Sequence, residues 1–403
     1  MKRAKVAKGR AGQTCCVKRY EPLGWFGTLG MLSDMPYQFA HSIFYVQYAL
    51  LIKPQMDCRS YLNFAKSQPS SSYPSSGPTG SMTSNKIVEA AYAMSHFIAV
   101  EPSNMTLPDF AAQIQSFIAL PPLTGSEETV YVVSFGTWDI YNLAGLDYSL
   151  SPSAIDSVLD EYFNQLDILY SHFKYNLTQT PTSEDANSNS TDTPQSTSTF
   201  RVIIPKLFDP TMLPGWLSQR PLPLFPSSIA EQQKNAVYLT SRWNNILENK
   251  LGPWMSNPSP PPTASESESE SESQKSENKT ETGIKVEKDV YYYDLDKYLV
   301  DVMMERSMEL EGITDASGLG SGESVFESVY LPCVGDKEDS EEEGLEEVNG
   351  MVVCKEPDEY LFYDSWSLGR VANKAIGKEV ARMVRNGKSL RQAWKESGKP
   401  GFS

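Results

Sequence analysis

The stretch Thr129–Phe135, TVYVVSF, is the clearest candidate for a buried strand in this chain of 403 residues. β-Branched and aromatic side chains dominate it, as is typical of strands, and Gly136 follows it directly. Two stretches of the same kind come later, Phe200–Pro205 (FRVIIP) and Val286–Asp294 (VEKDVYYYD), and a shorter one comes earlier, Tyr61–Ala65 (YLNFA). All four are predicted strands.

Between these strands, apolar residues recur with the period of an α-helix. The predicted helices cover Lys86–Val100, about Pro108–Leu120, Pro152–Phe173, Ile229–Leu251, Leu295–Met308 and Ser367–Arg385. Strands that alternate with helices predict an α/β fold, specifically a three-layer, doubly wound, mainly parallel sheet with helices on both faces. In such sheets, functional sites collect at the carboxyl ends of the strands.

Low-complexity segments fall between these elements and do not divide the chain. We predict one domain over residues 58–390, preceded by an irregular N-terminal segment, residues 1–57. Residues 179–199 and 256–283 are expected to be disordered insertions, because their polar, Pro-rich and Ser-Glu-rich composition cannot bury apolar area. Residues 336–348 are predicted to form an acidic loop.

Charge and composition exclude several classes of function. The formal net charge of −16 argues against a nucleic-acid partner, which usually requires a basic face. Three histidines and the absence of a CxxC pair argue against a Cys/His metal site, and no cofactor is indicated. The apolar run Phe39–Ile52 is too short to span a membrane and lies too far along the chain for an ordinary signal peptide.

Other features favour an extracellular location, although no clear signal peptide accompanies them. Four Asn-x-Ser/Thr sequons begin at Asn104, Asn176, Asn189 and Asn278. Cys333 and Cys354 bracket the acidic loop and could form a disulfide, which would suit an oxidising compartment.

Three short blocks resemble conserved blocks of the SGNH (GDSL-type) ester-hydrolase superfamily. Tyr61–Ala65 and the glycine-containing loop after it are similar to the second block. Phe135–Asp139 (FGTWD) is similar to the third, a Gly-x-Asn-Asp at the end of a strand. Cys354–Asp364 is similar to the last, in which Asp-x-x-His opens the C-terminal helix. The order of the blocks and the helices between them match over residues 58–390, and the details resemble a fungal-type GDSL lipase or carbohydrate-esterase relative with a flavodoxin-like sheet.

The resemblance implies a serine hydrolase acting on a small-molecule or glycan ester. In the family, a Gly-Asp-Ser serine attacks the carbonyl, a histidine activates it and an aspartate three residues before the histidine orients it. Asp364 matches the triad acid, but Ser367 stands where the base is expected. No Gly-Asp-Ser block precedes residue 58; Phe26–Leu29 lacks the serine and Ser33-Asp34 is a poor substitute. The family often forms a disulfide at the position of Cys333 and Cys354.

The resemblance also assigns the oxyanion region of the cleft. Gly136 and Asp139 match the third block, but Trp138 occupies its asparagine position. The second-block glycine corresponds to Gly77 or Gly80. A serine without a base is a poor nucleophile, and each missing oxyanion donor lowers the rate further. These departures predict an ester hydrolase whose activity is weak or lost.

Three alternatives stay open. The chain could be an active esterase with a rearranged base, His41 or His96. It could be a non-catalytic protein of the same fold that binds a glycan, an acyl ligand or a partner, with Trp138 and Trp366 either stacking on sugar or packing in the core. Third, the sequence could be a defective gene model with no function as written. A mis-predicted first exon would explain the missing nucleophile block but neither Ser367 nor Trp138.

Overall fold

The computed structural model describes residues 67–68, 79–95, 107–120, 129–179, 197–220, 222–223, 227–256, 285–313, 324–336, 346–348 and 351–397. The predicted strand Tyr61–Ala65 and the N-terminal segment 1–57 lie outside these residues. So do residues 180–196 and 257–284, which form most of the two predicted insertions.

A parallel sheet of three strands lies at the centre of the described chain. The strands are β3 (Val130–Val132), β4 (Thr197–Pro205) and β5 (Lys285–Tyr293), in the order β3-β4-β5. Three of the four predicted strands are therefore present. However, β4 begins at Thr197, so assigning residues 197–199 to a disordered insertion was wrong: their backbone pairs in register with residues 285–287 of β5.

Helices pack on both faces of this sheet. Side chains along a strand point alternately to opposite faces, and β4 follows this rule. Phe200, Val202 and Ile204 lie in one hydrophobic core, whereas Ile203 lies in the other. The architecture is thus α/β, with a parallel sheet whose two faces are both covered, as the strand–helix alternation predicted.

The helices have the following bounds: α1 Asn85–Met94, α2 Phe110–Ile118, α3 Thr137–Leu143, α4 Ser151–Gln179, α5 Pro214–Ser218, α6 Ile229–Ser256, α7 Leu295–Leu310, α8 Arg370–Arg385 and α9 Leu390–Glu396. Helices α1 to α4 and α6 contribute to the first core, and α7 and α8 to the second. Short polar side chains cap several N-termini: those of Ser84, Asp109, Asp294 and Ser389 accept backbone N–H groups of the first turn. The sequence analysis did not predict α3, α5 or α9.

A second group of strands precedes α8. β6 (Ser328–Pro332) pairs in parallel with β10 (Tyr360–Asp364), which pairs in antiparallel with β11 (Ser367–Leu368). The predicted helix start at Ser367 was therefore wrong. The helix begins at Arg370 with Gly369 as its N-cap, because residues 367–368 extend the sheet instead.

The acidic loop is also more regular than predicted. β7 (Val334–Asp336), β8 (Glu346–Val348) and β9 (Met351–Val353) form a small antiparallel sheet, so both ends of the predicted loop 336–348 are strand. Cys333 and Cys354 close this excursion with a disulfide, and their Cα atoms lie 4.9 Å apart. Both cysteines are buried.

One sequon falls on described residues. Asn176 lies in α4, and its side-chain nitrogen lies 3.0 Å from Nε2 of His172. Asn104, Asn189 and Asn278 lie outside the described residues. Among the described helices, none combines the length and apolarity needed to cross a membrane.

Candidate functional site

The chain segments that follow β3 and β10 meet in space, and we call this region the carboxyl edge. The indole rings of Trp138, after β3, and Trp366, after β10, have centroids 5.1 Å apart. The third and last family-like blocks, distant in sequence, are therefore neighbours. The structure thus brings together most of the residues that the resemblance selected.

Gly136 allows the chain to turn from β3 into α3. It adopts a φ of +115°, which side chains other than glycine rarely tolerate. A Cβ atom at this position would also overlap the side chains of Leu207 and Trp243. Both backbone and space therefore require glycine, whatever role the residue has in a reaction.

Gly80 lies directly against Trp138. It ends the short strand β2 (Thr79–Gly80), which pairs with β1 (Ser67–Gln68). A Cβ atom at Gly80 would overlap the indole of Trp138 around Nε1. Of the two candidate block-two glycines, Gly80 is therefore placed at the carboxyl edge, whereas Gly77 lies outside the described residues.

Asp139 holds the block-two loop against α3. Its carboxylate is fully buried and accepts hydrogen bonds from the backbone N–H of Thr83, at 3.0 Å, and from the Thr83 hydroxyl, at 2.9 Å. Burial raises the pKa of Asp139 to about 6, although the Thr83 hydrogen bonds oppose this shift. Asp139 thus acts in the structure as a clamp between the loop at Thr83 and helix α3.

Asp364 has its hydrogen bonds satisfied within its own turn. The backbone N–H of Trp366 donates to Oδ1 at 2.8 Å, and the hydroxyl of Ser367 donates to Oδ2 at 2.9 Å. The expectation that Asp364 sits at the N-terminus of the C-terminal helix was wrong, since β11 lies between it and α8. Its partners are a turn N–H and a hydroxyl, not the free N–H groups of a helix.

An aromatic cluster fills the carboxyl edge. Its members are Trp138, Tyr141, Trp216 and Trp366, with Tyr141 in edge-to-face contact with the other three at centroid distances of 5.2 to 5.6 Å. Trp138 is only 9% exposed, and a Cβ at Gly215 would overlap Trp366. Because these indoles contact each other and neighbouring glycines, the packing interpretation of Trp138 and Trp366 is favoured over sugar stacking.

The guanidinium of Arg220 contacts two rings of the aromatic cluster. Its guanidinium carbon lies 4.4 Å from the ring centre of Tyr141 and 4.3 Å from that of Trp216. Nε donates to Gln232 Oε1 and Nη1 donates to the backbone oxygen of Tyr141, each at 2.6 Å. Desolvation lowers the pKa of Arg220. The sequence analysis missed this residue, since no local pattern links it to Tyr141.

No imidazole stands beside Asp364 in the part of the chain that is described. His172 is the one histidine among the described residues. At a rise of 1.5 Å per residue it lies about 30 Å along α4 from Ser151. Hydrogen bonds through Asn235 hold Ser151 near the end of α3, so the ring of His172 is far from this edge. Its ring contacts Phe117. His41 and His96 lie outside the described residues.

The described residues offer no group of three or more His, Cys, Asp or Glu side chains arranged to hold a metal ion. The chemistry available at the carboxyl edge is therefore that of hydroxyl, indole and guanidinium donors and of two carboxylates with satisfied hydrogen bonds. Comparison with known proteins finds no protein-family model and no curated protein that matches this chain.

Proposed function

We propose that this chain has an SGNH-type fold and is a relative of ester hydrolases that does not hydrolyse esters at its carboxyl edge. One observation carries the proposal: Ser367 donates its hydroxyl to Asp364, at the position where the family-like block would place the base histidine. The parallel sheet with helices on both faces, and the contact between Trp138 and Trp366, support the three-layer, doubly wound arrangement.

The chemistry at Ser367 argues against turnover. A general base must take up a proton near the operating pH, and a serine hydroxyl cannot do so. The Asp364 carboxylate accepts instead from two groups of its own turn, the backbone N–H of Trp366 and the hydroxyl of Ser367. Loss of one triad member leaves only the residual rate from binding and oxyanion stabilisation.

Trp138 adds a steric argument. In the resembled family this position holds an asparagine whose amide would help to stabilise an oxyanion. In this chain the position holds Trp138, and its indole lies against Gly80. Indole has a single N–H donor. A carbonyl that approached the second-block glycine would therefore meet the ring.

The test combines turnover with active-site labelling. Full-length protein is incubated with 4-nitrophenyl acetate and 4-nitrophenyl butyrate, and separately with a fluorophosphonate probe, beside an active serine esterase. We expect hydrolysis at the rate of buffer and no labelled band. Turnover that falls by about 10⁴-fold in Asp364→Asn would overturn the proposal, because only a working triad depends so strongly on that carboxylate.

We also propose that the protein is secreted. The buried Cys333–Cys354 disulfide supports this location, because disulfides persist in oxidising compartments. Expression in a eukaryotic secretory host tests the proposal: we expect protein in the medium that shifts on deglycosylation. Retention of reduced, unglycosylated protein in the cells would contradict it.

A further inference from the structure

We propose that a groove between the central sheet and α9 binds a small zwitterion of the amino-acid class, with Asp289 taking the ammonium group and Lys395 the carboxylate. The groove lies near the start of β4 and β5, and we call it the amino-edge groove. Thr199, one of its lining residues, lies about 20 Å along β4 from the end of that strand at Pro205. The inference is therefore independent of ester chemistry at the carboxyl edge.

The first step is the space. The amino-edge groove is open to solvent and encloses about 290 Å³. This volume is close to the lower limit of small-molecule sites, about 300 Å³, so a ligand must be small. None of the described residues that line the groove has an aromatic or purely aliphatic side chain, so the ligand must also be polar.

The sheet supplies one wall of the groove. Thr199 of β4 is in register with Glu287 of β5, and Arg201 is in register with Asp289. Side chains two residues apart on a strand share a face, so these four lie on the face that carries Ile203 and belongs to the second core. The apolar core thus gives way to charged side chains at this end of the face.

Helix α9 supplies the other wall. Arg391 and Lys395 are one helical turn apart, and both line the groove. The helix is fixed to the body of the protein, because Nε and Nη2 of Arg391 donate to the backbone oxygens of Lys288 and Met255, each at 2.9 Å. Trp394 is only 9% exposed. The two walls are therefore held at a fixed separation without a ligand.

The second step is the charge that remains for a ligand. Asp289 accepts one hydrogen bond, from the hydroxyl of Tyr291 at 3.2 Å, and it forms no ion pair within the described chain. Lys395 likewise forms no ion pair or side-chain hydrogen bond with a described residue. One groove thus presents an acceptor carboxylate on the sheet wall and a donor ammonium on the helix wall.

The third step is the choice of ligand class. An anion alone would use Lys395 but would face the Asp289 carboxylate, and a cation alone would face Lys395. A zwitterion satisfies both groups, because its ammonium donates to Asp289 and its carboxylate accepts from Lys395. The small volume and polar lining favour an amino acid with a short polar side chain.

Saturation-transfer NMR titrations of the full chain test the groove with three ligands that share a hydroxymethyl group. L-Serine carries both charges, 3-hydroxypropionate only the carboxylate and ethanolamine only the ammonium. We expect saturable binding of serine, at least about tenfold tighter than that of either partial ligand, because each partial ligand loses one charge-assisted contact.

Variants locate the binding. Asp289→Asn should weaken serine about tenfold, and Lys395→Gln about threefold, since Lys395 is exposed and its ion pair is screened by solvent. Thr199→Tyr, which fills the groove and leaves its charges in place, should abolish binding. Asp301→Asn and Lys297→Gln, which neutralise an exposed ion pair on α7, are the matched controls and should bind like the parent.

The proposal is overturned if serine shows no saturable binding, binds no tighter than the partial ligands, or binds equally to the parent and to Asp289→Asn. If Asp289→Asn fails to fold by circular dichroism, Lys395→Gln still decides, because its side chain is exposed. Aryl-ester turnover recorded on the same samples tests only the carboxyl edge, so the two proposals fail separately.

Discussion

Ser367 donates its hydroxyl to Oδ2 of Asp364 across 2.9 Å, from three residues further along the chain. An Asp-x-x-His pair in the family-like block would have the same spacing, so the hydroxyl occupies the position from which an imidazole would contact the acid. β10 and β11 pair around this turn. The carboxylate thus has as its partner a hydroxyl, which has no capacity as a base.

Substitution of Asp364 by asparagine should therefore affect stability and not turnover. The amide oxygen can accept one of the two hydrogen bonds that Trp366 and Ser367 donate, so we expect the free energy of unfolding to fall by about 1 kcal/mol. Urea denaturation measures the change, with the aryl-ester assay run on the same protein. An unchanged midpoint would show that the turn does not need the carboxylate.

Gly80→Ala should destabilise the protein through Trp138. The added methyl would overlap the indole, and such overpacking costs about 1–3 kcal/mol. Replacing the indole with a smaller side chain should remove the penalty, so Gly80→Ala made in a Trp138→Leu background is the matched control. The measurement is a double-mutant cycle of unfolding free energies. Strictly additive effects would show that the two residues are not in contact.

Asp139 should make stability depend on pH in a way that Asp139→Asn removes. Burial raises the pKa of this carboxyl to about 6 from 3.8, so ionisation opposes folding above the unfolded value. This contribution lowers the free energy of unfolding at pH 7 by roughly 3 kcal/mol, and the loss is recovered as the pH falls through 6 towards 4. Parent and variant are unfolded at pH 4, 5, 6 and 7. The parent should gain stability relative to the variant as the pH falls, and a constant difference would contradict the raised pKa of Asp139.

Removing the disulfide should cost stability without changing the fold class. The double substitution of Cys333 and Cys354 by serine frees the excursion that contains β7, β8 and β9, and loop closure of this size contributes about 3 kcal/mol in the chain-entropy model. Chemical denaturation with and without reductant provides the measurement. Free alkylation of both cysteines in the native, unreduced protein would show that the bond does not form.

The two polar insertions should be dispensable once residues 197–199, which belong to β4, are left in place. Replacing residues 181–195 and 258–283 with short Gly/Ser linkers should shift the melting temperature by less than about 4 °C, because few apolar side chains are lost. Replacing residues 197–199 with glycine is the control. It should lower the melting temperature more, since those residues pair with β5.

The sequence by itself determined the elements and their class. The composition of TVYVVSF, FRVIIP and VEKDVYYYD identified β3, β4 and β5, and helical periodicity located α1, α2, α4, α6, α7 and most of α8. These signals are local, because burial on one face or on both imposes a period on each segment. The end of the strand segment at Gly136 and the two cysteines on either side of the acidic loop, Cys333 and Cys354, were also recognisable from the sequence alone.

Only the tertiary structure decided the partners at the carboxyl edge. Asp139 accepts a hydrogen bond from Thr83, 56 residues away in sequence, and Trp366 donates one to Gln219, 147 residues away. No period or spacing encodes such contacts, since they depend on how separate loops pack once the sheet has formed. For the same reason Gly80 could not be chosen over Gly77, and Arg220 could not be seen at all, until Trp138, Tyr141 and Trp216 had been placed in space.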